Sequence, residues 1–454
     1  MGLAPLAHAL PAEPAEPAES AVPAESAVPA VPAVPAVSAV PEVFTGEDPY
    51  PPTGLRPARF EPAGILGRKG LSRLTRTEQL GLAACTLALN ELDETGAEPT
   101  ATGVVLGTSA GSLAAIAAFT QDTLLQERPY LVNPSDFPGT LMNSTAGRTA
   151  IRHHLTDVNA TVSGGPLAFL HALRFARNAL HQGHTSRILA GAVEELSPYN
   201  AWAWYRAKAL KAGAVPGEAA AVFALQPPTQ GGAGAAPGRM RAQAELLACE
   251  TGFADIAHGP LAVSARLAAC IRHALHRSGL TPADVDIAVP TATGRHGWAA
   301  VERRALHHAL TPNTTPTTGP TTGSASGPTA GPASGPASGS ASGPTTGPAS
   351  GPASGPASGP TSGPASGPAS GPASGPASGP ASGSGSGPAA GPVQLHLHTA
   401  LGETHSAAGA LALAALLARW QHPTAPTRER VGVITAVAPE GSVGCAVITR
   451  PTTT

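Results

Sequence analysis

The fold of this chain is decided by the stretch Asn159-Ala-Thr-Val-Ser-Gly-Gly-Pro-Leu-Ala-Phe-Leu-His-Ala-Leu-Arg-Phe-Ala176. Its β-branched start predicts a short strand, Gly164 and Gly165 predict a turn, and Pro166 fits the start of a helix, where its missing N–H costs nothing. The apolar residues at helical spacing are Leu167, Phe169, Leu170, Leu173, Ala176 and Leu180. Such an elbow presents one side chain at a helix N-terminus, where backbone N–H groups favour negative charge. Here that side chain is a proline, which has no nucleophile.

Around this elbow the chain alternates between strand patterns and helix patterns. Helices are predicted over 76–92, 113–119, 262–279, 298–310 and 406–420. Strands are predicted over 102–106, 187–194, 218–225, 285–289, 393–398, 431–435 and 444–449. Alternation of this kind predicts an α/β fold in two halves of similar order, with helices covering both faces of each sheet.

Two low-complexity tracts divide the chain of 454 residues. Residues 1–42 consist of Pro-Ala-Glu and Ala-Val-Pro units, and residues 311–392 mainly repeat Gly-Pro-Ala-Ser. Both lack the large apolar side chains that offset the entropy of ordering, so we expect disorder in both. The remainder is assigned to an N-terminal half, 43–230, and a C-terminal half, 231–310 with 393–454. For the repeat tract, linker, tether and functionless expansion all remain open, and we favour expansion, since a longer surface loop adds little closure entropy.

Composition and charge exclude several classes of function. A net charge of −2 gives no electrostatic footprint for nucleic acid or an anionic membrane. Four cysteines without metal-ligand or disulfide spacing indicate buried thiols in a reducing compartment. No signal peptide and no membrane span are read from the sequence, so we expect a soluble, cytoplasmic protein without metal or cofactor.

Seven short motifs, taken in order, resemble the β-ketoacyl synthases of the thiolase-like superfamily. They run from about residue 71 to 450, excluding the repeat tract. They are Asn143 with Ala146-Gly147; Thr161-Val-Ser163 before the elbow; Leu189-Ala-Gly-Ala-Val-Glu194; Thr281-Pro-Ala-Asp284 between a helix and a strand; Glu302-Arg-Arg-Ala-Leu306; Gly402-Glu-Thr-His-Ser-Ala-Ala-Gly409; and the closing strands. The resemblance implies a five-layer αβαβα fold.

The family condenses acyl chains through a cysteine at the elbow and two histidines, which bind the thioester carbonyl and assist decarboxylation of the malonyl unit. Carried over position by position, the cysteine falls on Pro166, the histidines on Thr291 and Glu403, and an accompanying lysine on His398. Proline cannot form a thioester, threonine cannot act as a general base near neutral pH, and an ionised glutamate would repel a developing enolate. We therefore expect no catalytic residues in this chain.

The resemblance is then closest to the chain-length-factor-like subunits of type II polyketide and aryl-polyene systems. These degenerate subunits pair with an active ketosynthase and help to shape the tunnel for the growing chain. Their elbow usually carries glutamine, so Pro166 departs from that pattern also and puts a residual decarboxylase role in doubt. The resemblance implies two partners, an active ketosynthase and an acyl-carrier protein, with the subunit contact along Asn159–Ser163 and the elbow glycines Gly164 and Gly165.

Four alternatives stay open at this point. Gly107-Thr-Ser-Ala-Gly111 is a G-x-S-x-G between a strand and a helix, which suits a serine acyl hydrolase using Ser109 and resembles the patatin-like enzymes. No Asp-Gly-Gly or Asp-Gly-Ala motif follows it. A self-sufficient 3-oxoacyl synthase with an unusual site would need His405 or His296, each displaced from the family position, to replace a missing histidine. A plain scaffold would bind a ketosynthase without changing product length, and the pairing itself could be homo- or heterodimeric.

Overall fold

The computed structural model describes residues 12–13, 39–44, 52–57, 59–94, 101–227, 242–311 and 391–451. All of them belong to one compact unit, formed by residues 1–313 and 390–454. The two low-complexity tracts, and the predicted connection at 226–240, fall largely outside the described residues.

The strands build two main sheets whose central order repeats. The first half provides β1 (Ala12–Glu13), β2 (Ala39–Val43), β3 (Thr53–Pro57), β4 (Thr102–Thr108), β5 (Asn159–Ser163), β6 (Arg187–Glu194) and β7 (Ala219–Leu225). The second half provides β8 (Glu245–Phe253), β9 (Ile287–Pro290), β10 (Val393–Leu395), β11 (Val431–Val437) and β12 (Ser442–Thr449). One sheet has the order β5-β4-β6-β7, and the other has β1-β10-β9-β11-β12-β8. In the first sheet, β5, β4 and β6 are parallel and β7 is antiparallel to β6. In the second sheet, β10, β9 and β11 are parallel and β12 is antiparallel to β11. The predicted similarity of the halves therefore extends to this central strand order.

The helices lie on both sides of each sheet. They are α1 (Pro62–Leu66), α2 (Arg76–Glu94), α3 (Leu113–Leu125), α4 (Ser144–His153), α5 (Ala168–His181), α6 (Pro198–Arg206), α7 (Pro260–Arg277), α8 (Trp298–Leu310), α9 (His398–Leu401) and α10 (Ala408–Gln421). Helices α2 and α4 cover the outer face of the first sheet, and α7 and α8 cover the outer face of the second. Helices α5 and α10 fill the space between the sheets. The layers are therefore αβαβα, as the sequence predicted.

The central layer explains why these sequences form these elements. Strands β4 and β6 are buried at every position, which is typical of parallel strands covered on both faces. Helix α10 is buried almost all round, and its sequence, Ala408-Gly-Ala-Leu-Ala-Leu-Ala-Ala-Leu-Leu-Ala418, has no charged residue until Arg419. A helix that is apolar all round belongs inside a core.

Several features differ from the sequence predictions. Two parts of the tract predicted to be disordered form strands, since residues 12–13 pair with β10 and residues 39–42 pair with β3. Phe44, the residue after β2, is buried in a cluster with Leu196 and Ala201. Strand β10 ends at Leu395 rather than at residue 398, because Leu397 already has helical dihedral angles before α9. Strand β8 and helix α6 were not predicted. Helix α6 carries a readable start signal, in which Ser197 and Asn200 form a capping box.

Among the described residues, no helix combines the length and the apolar character needed to cross a membrane.

Removing a large side chain from the central layer should destabilise the whole unit. Phe169 of α5 is fully buried and packs against Phe223 with ring centroids 5.9 Å apart. We expect Phe169→Ala to lower the free energy of unfolding by about 3–5 kcal/mol, measured by urea denaturation. Phe253→Ala removes the same atoms from a side chain that is 61% exposed and should cost about 1 kcal/mol or less. Similar losses in the two variants would contradict the assigned core.

Candidate functional site

The elbow has the predicted strand–turn–helix form, with one added turn. Strand β5 ends at Ser163, and a 3₁₀ turn, Gly165–Leu167, precedes α5. Gly165 has φ +49°, a left-handed conformation that glycine adopts without steric cost. Pro166 is buried within the turn, so it lies just before the α-helix rather than at its first residue. The displayed position is filled by a ring without a reactive atom.

Three of the four positions predicted from the family pattern meet at one small cavity. Thr291, His398 and Glu403 all line it, together with Thr293 and Thr404 among others. The fourth, Pro166, does not line this cavity. It lies in a turn that packs against the 3₁₀ turn His405–Ala407, which follows Glu403 and leads into α10. The turn of the elbow and the turn that leads into α10 therefore contact each other here. None of the four side chains supplies a thiol, and together they do not supply a pair of histidines.

Glu403, which lines the cavity, also belongs to a buried ion pair that was not predicted from the sequence. Nε of Arg295 lies 3.6 Å from Oε1 of Glu403, and the two side chains are 2% and 1% exposed. Nη2 of Arg295 also donates to the carbonyl oxygen of Val437 at 2.9 Å. Burial raises the pKa of Glu403, and the positive charges of Arg295 and His405 oppose that rise. An ionised glutamate in the core needs a cation beside it. On that ground, Arg295, four residues after Thr291, could have been identified from the sequence as a partner for Glu403.

A segment between α6 and β7 forms backbone hydrogen bonds with both loops that carry this ion pair. The backbone of His296 donates to Ala209, and that of Lys211 donates to Gly294, which ties the segment to the Arg295 loop. At its other end, the backbone N–H and C=O of Glu403 bond to Val215 and Gly217, both within 2.9 Å. Gly402 (φ +73°) permits this approach, because an added Cβ would lie 2.9 Å from the carbonyl oxygen of Val215. Residues 209–217 thus hold both charged side chains in place.

The buried carboxylate of Glu302 is hydrogen-bonded to the loop that contains Thr291. Its carboxylate accepts hydrogen bonds from the backbone N–H groups of Thr291 (3.1 Å) and Ala292 (2.7 Å) and from the hydroxyl of Thr435 (2.7 Å). Burial raises its pKa from 4.5 to about 7, and the same three hydrogen bonds limit the rise. The loop therefore rests on a carboxylate whose charge depends on pH near neutrality.

The two candidate replacement histidines have different surroundings. His296 is exposed and is not among the residues lining the cavity. His405 has φ +47°, stacks edge-on against Trp204 at 5.3 Å, and places Nδ1 3.9 Å from Oε2 of Glu194. Its ring also lies close to Gly165 of the elbow. The geometry brings His405 to the elbow but gives it a tryptophan and a carboxylate as neighbours.

Ser109 lacks the surroundings of a hydrolase nucleophile. Its hydroxyl donates to Oε1 of Glu194 at 2.6 Å, and Ser406 donates to the other oxygen of that carboxylate. Helix α3 begins four residues after Ser109, with Ser112 as its N-cap. The buried carboxylate of Glu195 accepts from the backbone N–H of Ala114 in the first turn. A negative charge already occupies this helix start, where an oxyanion would have to bind.

Within the described ranges, no group of three or more His, Cys, Asp or Glu side chains is placed to hold a metal ion. The four cysteines are all buried, at positions 85, 249, 270 and 445, and burial raises the pKa of each thiol. A thiol with a raised pKa is a poor nucleophile.

Parts of the sequence are similar to known proteins. Residues 58–231 match the family model of the β-ketoacyl synthase N-terminal domain. A curated relative, 3-oxoacyl-[acyl-carrier-protein] synthase 2 of Vibrio harveyi, is 28% identical over 143 residues, or 30% of this chain. That match spans only 34% of the relative's length.

Solved structures extend the similarity to most of the chain. The ishigamide ketosynthase/chain length factor is 26% identical, with a TM-score of 0.57 and 87% of each chain covered. A β-ketoacyl synthase from Burkholderia phymatum STM815 is 15% identical, with a TM-score of 0.58 and 88% of each chain covered. A type II ketosynthase in complex with its acyl-carrier protein is 13% identical, with a TM-score of 0.55 and 88% of this chain and 90% of that one covered. The last two similarities establish the fold alone.

Breaking the buried ion pair from one side should destabilise the protein more than removing it entirely. We expect Arg295→Met to lower the free energy of unfolding by about 3–5 kcal/mol, because it leaves Glu403 buried without a cation. The double variant Arg295→Met/Glu403→Met should recover most of that loss. Arg277→Met is the matched control, since its ion pair with Glu250 is partly exposed and is worth about 1 kcal/mol or less. A double variant no more stable than Arg295→Met would contradict the pairing.

The raised pKa of Glu302 should make stability fall as pH rises from about 4.5 to 7. In this window the unfolded chain releases the Glu302 proton before the folded chain does, so folding becomes less favourable by up to about 1.4 kcal/mol per pH unit. The lowered pKa values of the part-buried His153 and His171 act in the opposite direction near pH 6.5. The measurement that isolates Glu302 is therefore the comparison of wild type with Glu302→Gln. The free energy of unfolding of the variant should rise more steeply with pH, or fall less steeply, than that of the wild type. Equal slopes in urea titrations from pH 5 to 8 would refute the assignment.

Proposed function

Because this chain is a β-ketoacyl synthase-like protein, we propose that it is a non-catalytic, chain-length-factor-like subunit that pairs with an active ketosynthase during polyketide or fatty-acid-type chain elongation. One observation carries the proposal. The positions that the family pattern assigns to the thiol and the histidines of a condensing enzyme carry a buried proline, a buried threonine and a glutamate paired with Arg295. No covalent acyl intermediate can form on proline. Among the described residues, two histidines lie close to the elbow glycines: His405 beside Gly165, with Glu194 as its neighbour, and His171 beside Gly164.

Two surface features support pairing with another subunit. Strand β5 is the edge of its sheet and pairs only with β4 within the described residues, so its other edge can meet a partner. The end of α3 and the segment that joins it to α4 expose large apolar side chains, at positions 124, 125, 130, 131, 137, 141 and 142. This segment leads into α4, and α4 packs against β5. Contiguous exposed apolar side chains of this size are typical of an interface.

A ketosynthase is the proposed partner because the ishigamide protein, similar over 87% of this chain, is described as a ketosynthase/chain length factor. The proposed carrier of substrate is an acyl-carrier protein, the partner named for the type II ketosynthase that shares this fold. The bonds of Ser109 and Glu195 described above argue against a serine hydrolase. A self-sufficient synthase would need a nucleophile that the described part of the site does not contain.

Charges introduced into the exposed apolar segment should prevent pairing. We expect the wild-type chain to co-purify with a co-expressed active ketosynthase of a type II system, and Leu124→Asp/Leu125→Asp to reduce recovery of the complex at least tenfold. These side chains are 79% and 75% exposed, so the monomer should fold normally. Leu261→Asp is the control, because Leu261 is 62% exposed on α7 in the other half.

Product analysis then distinguishes a catalytic subunit, a subunit that sets product length and a scaffold. The purified chain alone should neither accept an acyl group from acyl-carrier protein nor condense malonyl units, and detection of either would overturn the assignment as non-catalytic. The ketosynthase with this chain should make longer or more uniform products than the ketosynthase with the Leu124→Asp/Leu125→Asp variant. Stable pairing with unchanged products would mean a scaffold, and no pairing with any ketosynthase would end the proposal.

A further inference from the structure

A separate cavity lies on the outer side of the first sheet, away from the elbow. It has a volume of about 310 Å³ and opens to solvent between the end of α1, the turn Leu71–Arg73, α2 and α4. None of its lining residues lines the cavity beside Thr291 and Glu403. We call it the α1–α4 groove. Its volume is near the lower end of the range for small-molecule sites, ~300–1,000 Å³.

The floor of the α1–α4 groove is apolar. Leu66 and Leu82 are 4% and 2% exposed and belong to a small hydrophobic cluster of their own. Leu71 and Leu74 complete the floor, and Ile151 stands at its edge with 78% of its surface exposed. An alkyl chain lying on this floor would cover the parts of Leu71, Leu74 and Ile151 that water now contacts, which is favourable.

The rim of the groove is basic. Lys69, Arg148 and Arg152 all line it, and the two arginines lie one helical turn apart on α4. Arg148 is neutralised by buried Glu78, whose carboxylate lies 2.5 Å from Nε. Arg152 donates one N–H to the carbonyl oxygen of Leu66, and neither it nor Lys69 forms an ion pair with any residue in the described part of the chain. Among the described residues, the rim therefore carries two positive charges that no acidic side chain neutralises.

An apolar floor beneath two such cations matches one chemical class of ligand. We propose that the α1–α4 groove binds a short alkyl carboxylate, with the alkyl chain on the leucine floor and the carboxylate between Lys69 and Arg152. The guanidinium of Arg152 keeps N–H donors for this bond besides the one given to Leu66, since arginine has five. The site is independent of the proposed pairing with a ketosynthase, because it uses no residue of the elbow, β5 or the apolar segment.

Titration calorimetry of the full-length chain with sodium decanoate tests the proposal. We expect saturable binding with a one-to-one ratio, at least tenfold weaker in Lys69→Glu/Arg152→Glu. Arg303→Glu/Arg304→Glu makes the same change in net charge at exposed positions on α8 and should bind as wild type does. Decanol, which lacks the charge, and inorganic phosphate, which lacks the chain, should each bind at least tenfold more weakly than decanoate.

Each other outcome rejects the proposal. No saturable heat with decanoate would remove the site, and equal weakening in both charge-reversal pairs would mean non-specific attraction. Equal binding of decanol would mean that the cations take no part, and equal binding of phosphate would mean that the leucine floor takes none. Circular dichroism of both double variants, whose changed residues are exposed, checks that a loss of binding is not a loss of fold.

Discussion

The structure depends on two helices that are covered on every side. Helices α5 and α10 lie between the sheets, and the turns that begin them contact each other. Such close packing requires small residues at defined positions. A Cβ on Gly107 would lie 2.7 Å from the backbone of Ala168, and one on Gly444 would lie 2.8 Å from Leu170. A Cβ on Gly409 of α10 would lie 3.1 Å from Phe169 of α5. Because these contacts fix where α5 begins and how closely α10 approaches it, they also fix the position of the elbow, whatever side chains stand there.

The backbone of the elbow and of the Thr291 loop is held by contacts that do not depend on a thiol or an imidazole. The backbone of the elbow needs a left-handed Gly165 and tolerates proline next to it. The Thr291 loop needs only a carboxylate to accept its N–H groups, which Glu302 provides. Neither requirement involves a thiol or an imidazole, so the positions were open to replacement by residues that serve packing and charge balance instead.

The sequence predicted the layers and most elements, because the apolar periodicity of α2, α5, α7 and α8 and the unbroken apolar runs of β6 and β11 are local signals. It also predicted that positions 291, 398 and 403 belong to one site, since they follow a known order of motifs. It could not reveal the Arg295–Glu403 pair, which joins residues 108 positions apart. The hydrogen bond from Ser109 to Glu194 and the groove beside α4 were likewise beyond it, because both depend on how distant segments meet. Strand β8 was missed because its residues carry no clear alternation.

The Arg295–Glu403 pair also constrains how this lineage can change. Replacing the pair by uncharged side chains requires a change at both positions. Either single change leaves one charge buried without its partner, at a cost of about 3–5 kcal/mol against a typical domain stability of about 5–15 kcal/mol. A sequence with only one of the two charges is therefore less stable than a sequence with both or with neither. Positions 295 and 403 are thus coupled, and a tolerated change at one depends on the residue at the other.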